Sequence, residues 1–324
     1  MKKILLIGAG QLGRRHLQAL SKIDFGADID VVDPLSDSLI AAKIQFEAMP
    51  ANAAIGVVRY LPSLSKLSGT VDVAIVATNA DVRADVVRTL LVVCEVKSLI
   101  LEKVLFQRPS DFANISELLE LKSVNAWVNH PRRIFPFYER LKSALSGARK
   151  VSYSLQGGAW GLGCNGLHFL DHLAYLTGES KLEINGDGID DAIIESKRAG
   201  FVEFSGSMRG WIGVHPFHIF CHEVQSPIVL DISSDDLHVT IDEAGGWYRM
   251  ATREGGWTWE AASEKIVLFQ SELTHLAVQD IVTSGRCGLP TYEQASALHI
   301  PFLQCLTTHL EKTGHRGDGN CPIT

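Results

Sequence analysis

Cysteine is scarce in this chain and poorly placed for cross-linking. Cys94, Cys164, Cys221, Cys287, Cys305 and Cys321 are six residues in 324, with no C-x-x-C pair among them. That spacing argues against a disulfide scaffold and against a structural zinc site, so no metal is expected and a cytoplasmic location with reduced thiols is. Long apolar runs are missing too: no stretch approaches the ~20 residues that cross a bilayer, and no membrane partner is expected. Met1-Lys2-Lys3 followed by Ile4–Ile7 briefly imitates a secretory leader, but the apolar stretch is short and runs into Gln11, Arg14 and Arg15. Positive charge is also in deficit. The formal net charge is −7, and the basic residues cluster only as pairs, Arg14-Arg15 and Arg132-Arg133. A protein that tracks nucleic-acid phosphates needs a concentrated basic face, so no nucleic-acid partner is expected.

What is present is an ordinary globular balance, 46% hydrophobic and 21% charged, on a chain long enough for two cores. Through the first ~125 residues, short β-rich runs alternate with helical spacing, the pattern of a helix-covered parallel sheet. The candidate strands are Lys3–Ile7, Asp28–Val32, Val57–Tyr60, Val71–Ala77, Ser98–Leu101 and Ala126–Val128. The candidate helices between them are Leu12–Ser21, Leu35–Glu47, Asp81–Leu91 and Pro109–Leu121. After Lys150 the spacing changes to period-two alternation, as at Leu237, Val239 and Ile241, with recurrent glycine and asparagine turns. Helices are expected there at Gly166–Leu176, Ile266–Ser284 and Tyr292–Glu311. The expected fold is α/β: residues 1–124 as a doubly wound Rossmann sheet, and 125–324 as an α+β domain with a large, mostly antiparallel open sheet. The C-terminal helix is left free to pack back on the first domain.

Gly8-Ala9-Gly10-Gln11-Leu12-Gly13 reads G-x-G-x-x-G directly between a predicted strand and a predicted helix. The first glycine permits a tight turn, the second lets backbone approach a pyrophosphate, and the third permits close helix–strand packing; the helix N-terminus supplies amide donors. Asp33 closes the next strand. A carboxylate there accepts hydrogen bonds from ribose hydroxyls and repels a 2′-phosphate, which favours NAD over NADP. The alternative is a glycine turn that only shapes some other nucleotide-binding or regulatory domain.

Further motifs follow in order: Ala77-Thr78-Asn79, Ile100-Leu101-Glu102-Lys103, Asn129-His130-Pro131-Arg132-Arg133, Gly166-Leu167-His168-Phe169-Leu170-Asp171 and Leu289–Ala295. Together with the glycine turn, this ordered set resembles the Gfo/Idh/MocA family of oxidoreductases over nearly the whole chain. The resemblance implies cofactor contacts from Gly8, Gly10, Gln11, Leu12, Gly13, Asp33, Thr78, Asn79 and Glu102. It also implies catalytic roles for Lys103 and His168, because oxidising an alcohol requires removal of its proton as hydride departs. An imidazole handles that proton near neutral pH, and an ammonium stabilises the developing alkoxide.

The chain departs from the family's pattern at three places. Val104 stands where the family has proline, and a cis Lys-Val peptide costs ~3–4 kcal/mol, so a trans bond is expected. Cys164 stands where many members carry aspartate. Arg83 stands where many carry histidine. Arg132, Arg133, Trp160, Asn165 and Asp171 are candidate substrate contacts. The arginines, Trp160 and Asp171 have plainer readings: a solvated pair, a core tryptophan, and a helix cap or a support for His168. The function expected is NAD-dependent hydride transfer to or from a carbinol carbon of a sugar, nucleotide sugar or polyol, by a homodimer or homotetramer assembled through the C-terminal sheet. The alternatives are an NAD-binding sensor on the same fold and a reductase of an imine or tetrapyrrole.

Overall fold

The computed structural model describes residues 1–315 and 319–324. The chain divides into two compact units. One comprises Met1–Phe106, Ser110–Pro131 and Leu268–Glu293; the other comprises Gln107–Pro109, Arg132–Val267 and Gln294–Thr324. The polypeptide therefore passes between the units at more points than the single boundary expected at 124/125.

The first unit alternates strand and helix: β1 (Lys2–Ile7), α1 (Gln11–Leu20), β2 (Ala27–Val32), α2 (Ser36–Glu47), β3 (Ile55–Leu61), β4 (Thr70–Val76), α3 (Ala80–Val93), β5 (Glu95–Leu101), α4 (Pro109–Leu121) and β6 (Asn125–Val128). Every strand pairing is parallel, in the order β3-β2-β1-β4-β5-β6. Strands covered on both faces read as continuous apolar runs, and Ile4, Leu5 and Leu6 have no exposed surface at all. The order reverses beside β1, so the exits of β1 and β4 flank the switch point where open α/β sheets bind ligands.

The second unit begins with α5 (Pro136–Ala144), β7 (Ser152–Gly158), α6 (Leu162–Thr177) and β8 (Leu182–Ile189). A two-stranded ribbon follows, β9 (Ile194–Glu195) with β10 (Val202–Glu203). Six further strands run in succession: β11 (Gly206–Ile212), β12 (His215–His222), β13 (Ser226–Ser233), β14 (Leu237–Asp242), β15 (Trp247–Thr252) and β16 (Glu260–Ser263). They build an eight-stranded sheet, β16-β15-β14-β13-β7-β12-β11-β8, antiparallel throughout except for β7 with β12. Period-two burial is clear on β12, where Phe217, Ile219 and Cys221 are buried and His218 and His222 are exposed. The opposite face of the sheet is mixed: it bears Ser152, Gln156 and His218 together with Pro216, Phe220 and an exposed Trp211. The chain ends with α7 (Thr274–Ser284) and α8 (Tyr292–Lys312).

Two helix expectations need correction. The one at Ile266–Ser284 is shorter, a 3-10 turn at Gln270–Glu272 followed by α7. The one at Gly166–Leu176 starts four residues earlier. Gly161 (φ +80°) turns the chain in a conformation that disfavours side chains. The Glu203 carboxylate, 40 positions away, then accepts from the Gly163 and Cys164 amides at 2.9 and 3.0 Å. A cap supplied from so far along the chain is invisible to local pattern.

Candidate active site

At the exit of β1 each glycine of the motif has its own job. Gly8 has φ +93°, and a Cβ there would lie 2.9 Å from the Ala77 carbonyl carbon. A Cβ on Gly13 would lie 1.8 Å from the Gly8 oxygen, so α1 is pressed directly against the turn. Around Gly10 a Cβ would meet nothing within 4 Å. That open approach, ahead of the free amides of a ten-residue helix, fits a pyrophosphate. Gln11 is exposed and Leu12 half-buried beside it.

Asp33 is buried at the exit of β2. Its carboxylate accepts from the Ala9 amide at 2.7 Å and from the Leu35 amide at 2.8 Å. It thus ties the glycine turn to its own strand. A carboxylate has about four lone-pair sites, which leaves capacity for ribose hydroxyls. The residues present fit a dinucleotide.

The exits of β4 and β5 hold the other half of the unit's site residues. Thr78 is half-buried and Asn79, the residue before α3, is exposed. Lys103 is half-buried and follows Glu102, which is only 3% exposed. The Glu102 carboxylate accepts from His16 Nε2 at 2.9 Å and Asn129 Nδ2 at 2.5 Å. Burial alone would raise the Glu102 pKa; the hydrogen bond and charge of His16, with Asn129, bring it below the usual value. His16 Nδ1 lies 2.8 Å from Thr274 Oγ1, and Asn129 also donates to Gln270 at 2.8 Å. The base of the Glu102-Lys103 turn is therefore a buried polar network that includes the late segment before and at the start of α7.

The peptide between Lys103 and Val104 is cis, not trans as expected. Local preference is overridden by tertiary contacts: Val104, Leu105 and Phe106 are fully buried, and Arg83 donates to the carbonyls of both Val104 and Leu105.

In the second unit His168 stands one turn and a half into α6, half-buried. Asp171 is fully buried in mid-helix rather than at a cap, and both its oxygens accept from Arg133, at 2.9 and 2.8 Å. Burial raises the Asp171 pKa above its ordinary value against the pull of Arg133. Arg132 forms a bidentate pair with Glu243 at 2.8 and 2.6 Å, and Tyr138 donates to the same carboxylate. Its guanidinium also lies 4.2 Å from the Phe169 ring centre. Both arginines are thus committed to carboxylates of their own unit. Trp160 is buried, donates to the Phe220 carbonyl at 3.0 Å and meets Phe169 edge-on; Asn165 donates to the Trp160 carbonyl.

His16, Glu203, Glu243, Gln270 and Thr274 were not anticipated. His16 had a legible signal, since it shares the buried face of α1 with Gly13, Leu17 and Leu20. The other four act across long sequence separations. Among the described residues no group of three or more His, Cys, Asp or Glu side chains is placed to hold a metal ion, and no helix is long and apolar enough to cross a membrane.

Residues 2–130 match the model of an oxidoreductase family with an NAD-binding Rossmann fold, GFO_IDH_MocA. No curated protein sequence gives a significant match. Similar solved structures include an oxidoreductase from Agrobacterium radiobacter in complex with NAD+, L-tartaric acid and magnesium, at TM-score 0.72 and 14% identity, with 93% of this chain and 94% of that one covered. The transcriptional regulator Gal80p from Kluyveromyces lactis is similar at TM-score 0.74 and 16% identity, covering 96% and 92%. UDP-N-acetylglucosamine 3-dehydrogenase GnnA from Acidithiobacillus ferrooxidans is similar at 0.65 and 14%, covering 94% and 96%. At these identities the likeness to solved structures is one of fold.

Proposed function

We propose, from the premise that residues 2–130 match the NAD-binding Rossmann domain of the Gfo/Idh/MocA oxidoreductases, that the protein catalyses NAD-dependent hydride transfer to or from a carbinol carbon of a sugar, nucleotide sugar or polyol. The observation that carries the reading is the position of Lys103. It leaves β5 at the same sheet edge as the glycine turn leaving β1, with only β4 between the two strands.

When bound, the nicotinamide supplies the two-electron acceptor or donor. The rest falls to side chains. The Lys103 ammonium hydrogen-bonds the reacting oxygen and stabilises alkoxide charge as the C–H bond breaks. His168 takes the hydroxyl proton, or returns it in the reverse direction. Glu102, held ionised and buried, anchors the turn that carries Lys103. Asp33 selects NAD by repelling a 2′-phosphate. We assign Arg132, Arg133 and Asp171 to the frame of the second unit, because each already has an internal ionic partner. Trp160 and Asn165 brace the turn that leads into α6. Self-association through the outer face of the eight-stranded sheet, where Trp211 is exposed, belongs to the same reading, and a monomeric mass by light scattering would remove it.

The likeness to Gal80p favours a second reading, a protein that binds NAD without turning it over. Lys103→Met and His168→Gln separate the two. A panel of sugars, nucleotide sugars and polyols, extended to imines and tetrapyrroles, is screened at the reduced-nicotinamide absorbance band. The enzyme reading expects each variant to bind NADH normally while turnover falls about 10²–10⁴-fold. Turnover unchanged in both variants, or absent from the wild type across the panel, defeats it.

A further inference from the structure

Arg83 lies in the first turn of α3 with 1% of its surface exposed, one of the largest fully buried side chains in the chain. A buried guanidinium is costly unless its donors are met. Here both terminal nitrogens reach backbone oxygens: Nη1 donates to Val104 O and, at 2.9 Å, to Leu105 O, while Nη2 donates to Thr78 O. Thr78 is the exit of β4. Val104 and Leu105 follow Lys103 at the exit of β5. The two strands are hydrogen-bonded neighbours. One planar fork therefore spans the mouths of two adjacent strands and holds them at a set separation, with Lys103 on the segment it grips.

The sheet order says which half of a dinucleotide this concerns. Asp33 leaves β2 on one side of β1, and the glycine turn leaves β1 itself. A dinucleotide with its adenosine at Asp33 and its pyrophosphate at Gly10 extends its other half over β4 and β5. We propose that Arg83 is a positioning residue for the nicotinamide half of the site, setting the spacing between Thr78 and Lys103 without acting on the adenosine half. This rests on the dinucleotide reading above. Lysine is no equivalent, because an ammonium is a single point of donors whereas the guanidinium is a rigid fork.

The test uses the full chain and two probes, NADH and ADP-ribose, which share the adenosine and pyrophosphate and differ in the nicotinamide. Their affinities are measured by calorimetry for the wild type, Arg83→Met and Arg83→Lys, alongside bound-NADH fluorescence and melting temperature. ADP-ribose affinity is expected to stay within about twofold throughout, while NADH affinity falls about tenfold or more in Arg83→Met, with altered fluorescence, and by an intermediate factor in Arg83→Lys. An Arg83→Met protein with wild-type NADH affinity and fluorescence overturns the proposal. So does a parallel loss of both ligands in step with melting temperature, which marks a purely structural role. Should Arg83→Met not fold, Arg83→Lys decides: an unchanged ratio of NADH to ADP-ribose affinity overturns the assignment. A wild type that binds neither probe defeats the dinucleotide reading itself, and this inference with it.

Discussion

The strand exits of the first unit and the frame of the second bury polar groups in different ways, although at its β2–β3 pairing the first unit also matches a buried carboxylate, Asp30, with a guanidinium, Arg59. In the first, the buried carboxylate Glu102 is met by an imidazole and an amide, and the buried guanidinium Arg83 by carbonyl oxygens. In the second, guanidinium meets carboxylate directly: Arg132 with Glu243 and Arg133 with Asp171. The first arrangement fixes backbone at strand exits and leaves Lys103 half-buried beside them. The second neutralises charge inside a frame. A parallel βα unit brings many strand exits to one edge, so fixing backbone there builds a site; an antiparallel sheet backed by a helix needs its charges cancelled where they are buried.

The glycine turn offers the sharpest way to break that contrast. Gly13→Ala places a methyl 1.8 Å from the Gly8 oxygen, where only backbone can yield. A loss of about 3 kcal/mol or more in unfolding free energy is expected, together with loss of NADH binding. Gly10→Ala puts its methyl in open space. Its melting temperature should match the wild type while NADH affinity drops at least about tenfold, since the backbone can no longer approach the pyrophosphate. Calorimetry and thermal melts read both. Equal behaviour of the two variants would contradict the division of labour.

The ionic frame of the second unit comes next. Arg132→Met leaves Glu243 buried with its principal cation gone, and about 3–5 kcal/mol of stability should be lost. Arg132→Met combined with Glu243→Leu should recover much of that, because no unpaired charge remains. Denaturant titration of the two variants checks it. Equal stability of the single and double variants would mean that the pair matters by packing and not by charge.

The smallest effect is a pH dependence. His172 is fully buried, and burial, with Arg132 adding to it, pushes its pKa down to about 3. The folded state therefore resists its protonation. Its stabilising contribution is complete above the unfolded pKa near 6.5 and is lost as pH falls through that value toward the folded one. Glu102 and Glu243, whose pKa values are lowered, weaken the fold only below the ordinary carboxylate range. Below about pH 6.5 the loss of stability comes from histidines, His172 first, with His215 and His275 shifted the same way, and is opposed by Asp171, whose raised pKa makes its protonation favour the fold. A slope of up to about 1.4 kcal/mol per pH unit is expected from His172, and His172→Gln should flatten the curve by that amount. An unchanged slope would place the acid sensitivity elsewhere.

Much of the first unit was legible in advance because its determinants are short-range. Glycine spacing, an acid at the next strand end and continuous apolar strands are each set by a dozen residues, and the repeat of strand and helix announces a parallel sheet. Even there the reading stopped at the backbone. The cis Lys103–Val104 bond went against local preference, and the clamp from Arg83 that grips the following carbonyls involves a residue 21 positions away. In the second unit the alternation of Leu237, Val239 and Ile241 announced the strand β14, but nothing local announced the ionic partners. Arg132 and Arg133 read as a free basic pair because Glu243 lies 111 positions further on and Asp171 lies 38.

By itself, then, the amino-acid sequence determined a Rossmann sheet with a dinucleotide turn, a second β-rich unit, and the lysine and histidine worth testing. The first two depend on side-chain periodicity and on the conformations glycine permits within a few bonds; the lysine and the histidine are singled out by the ordered motifs that resemble the family. Tertiary structure alone decided which charges are spent inside the protein and which carbonyls a guanidinium holds. A hydrogen bond between groups a hundred residues apart exists only once the chain has folded to bring them within 3 Å, and no local preference encodes it.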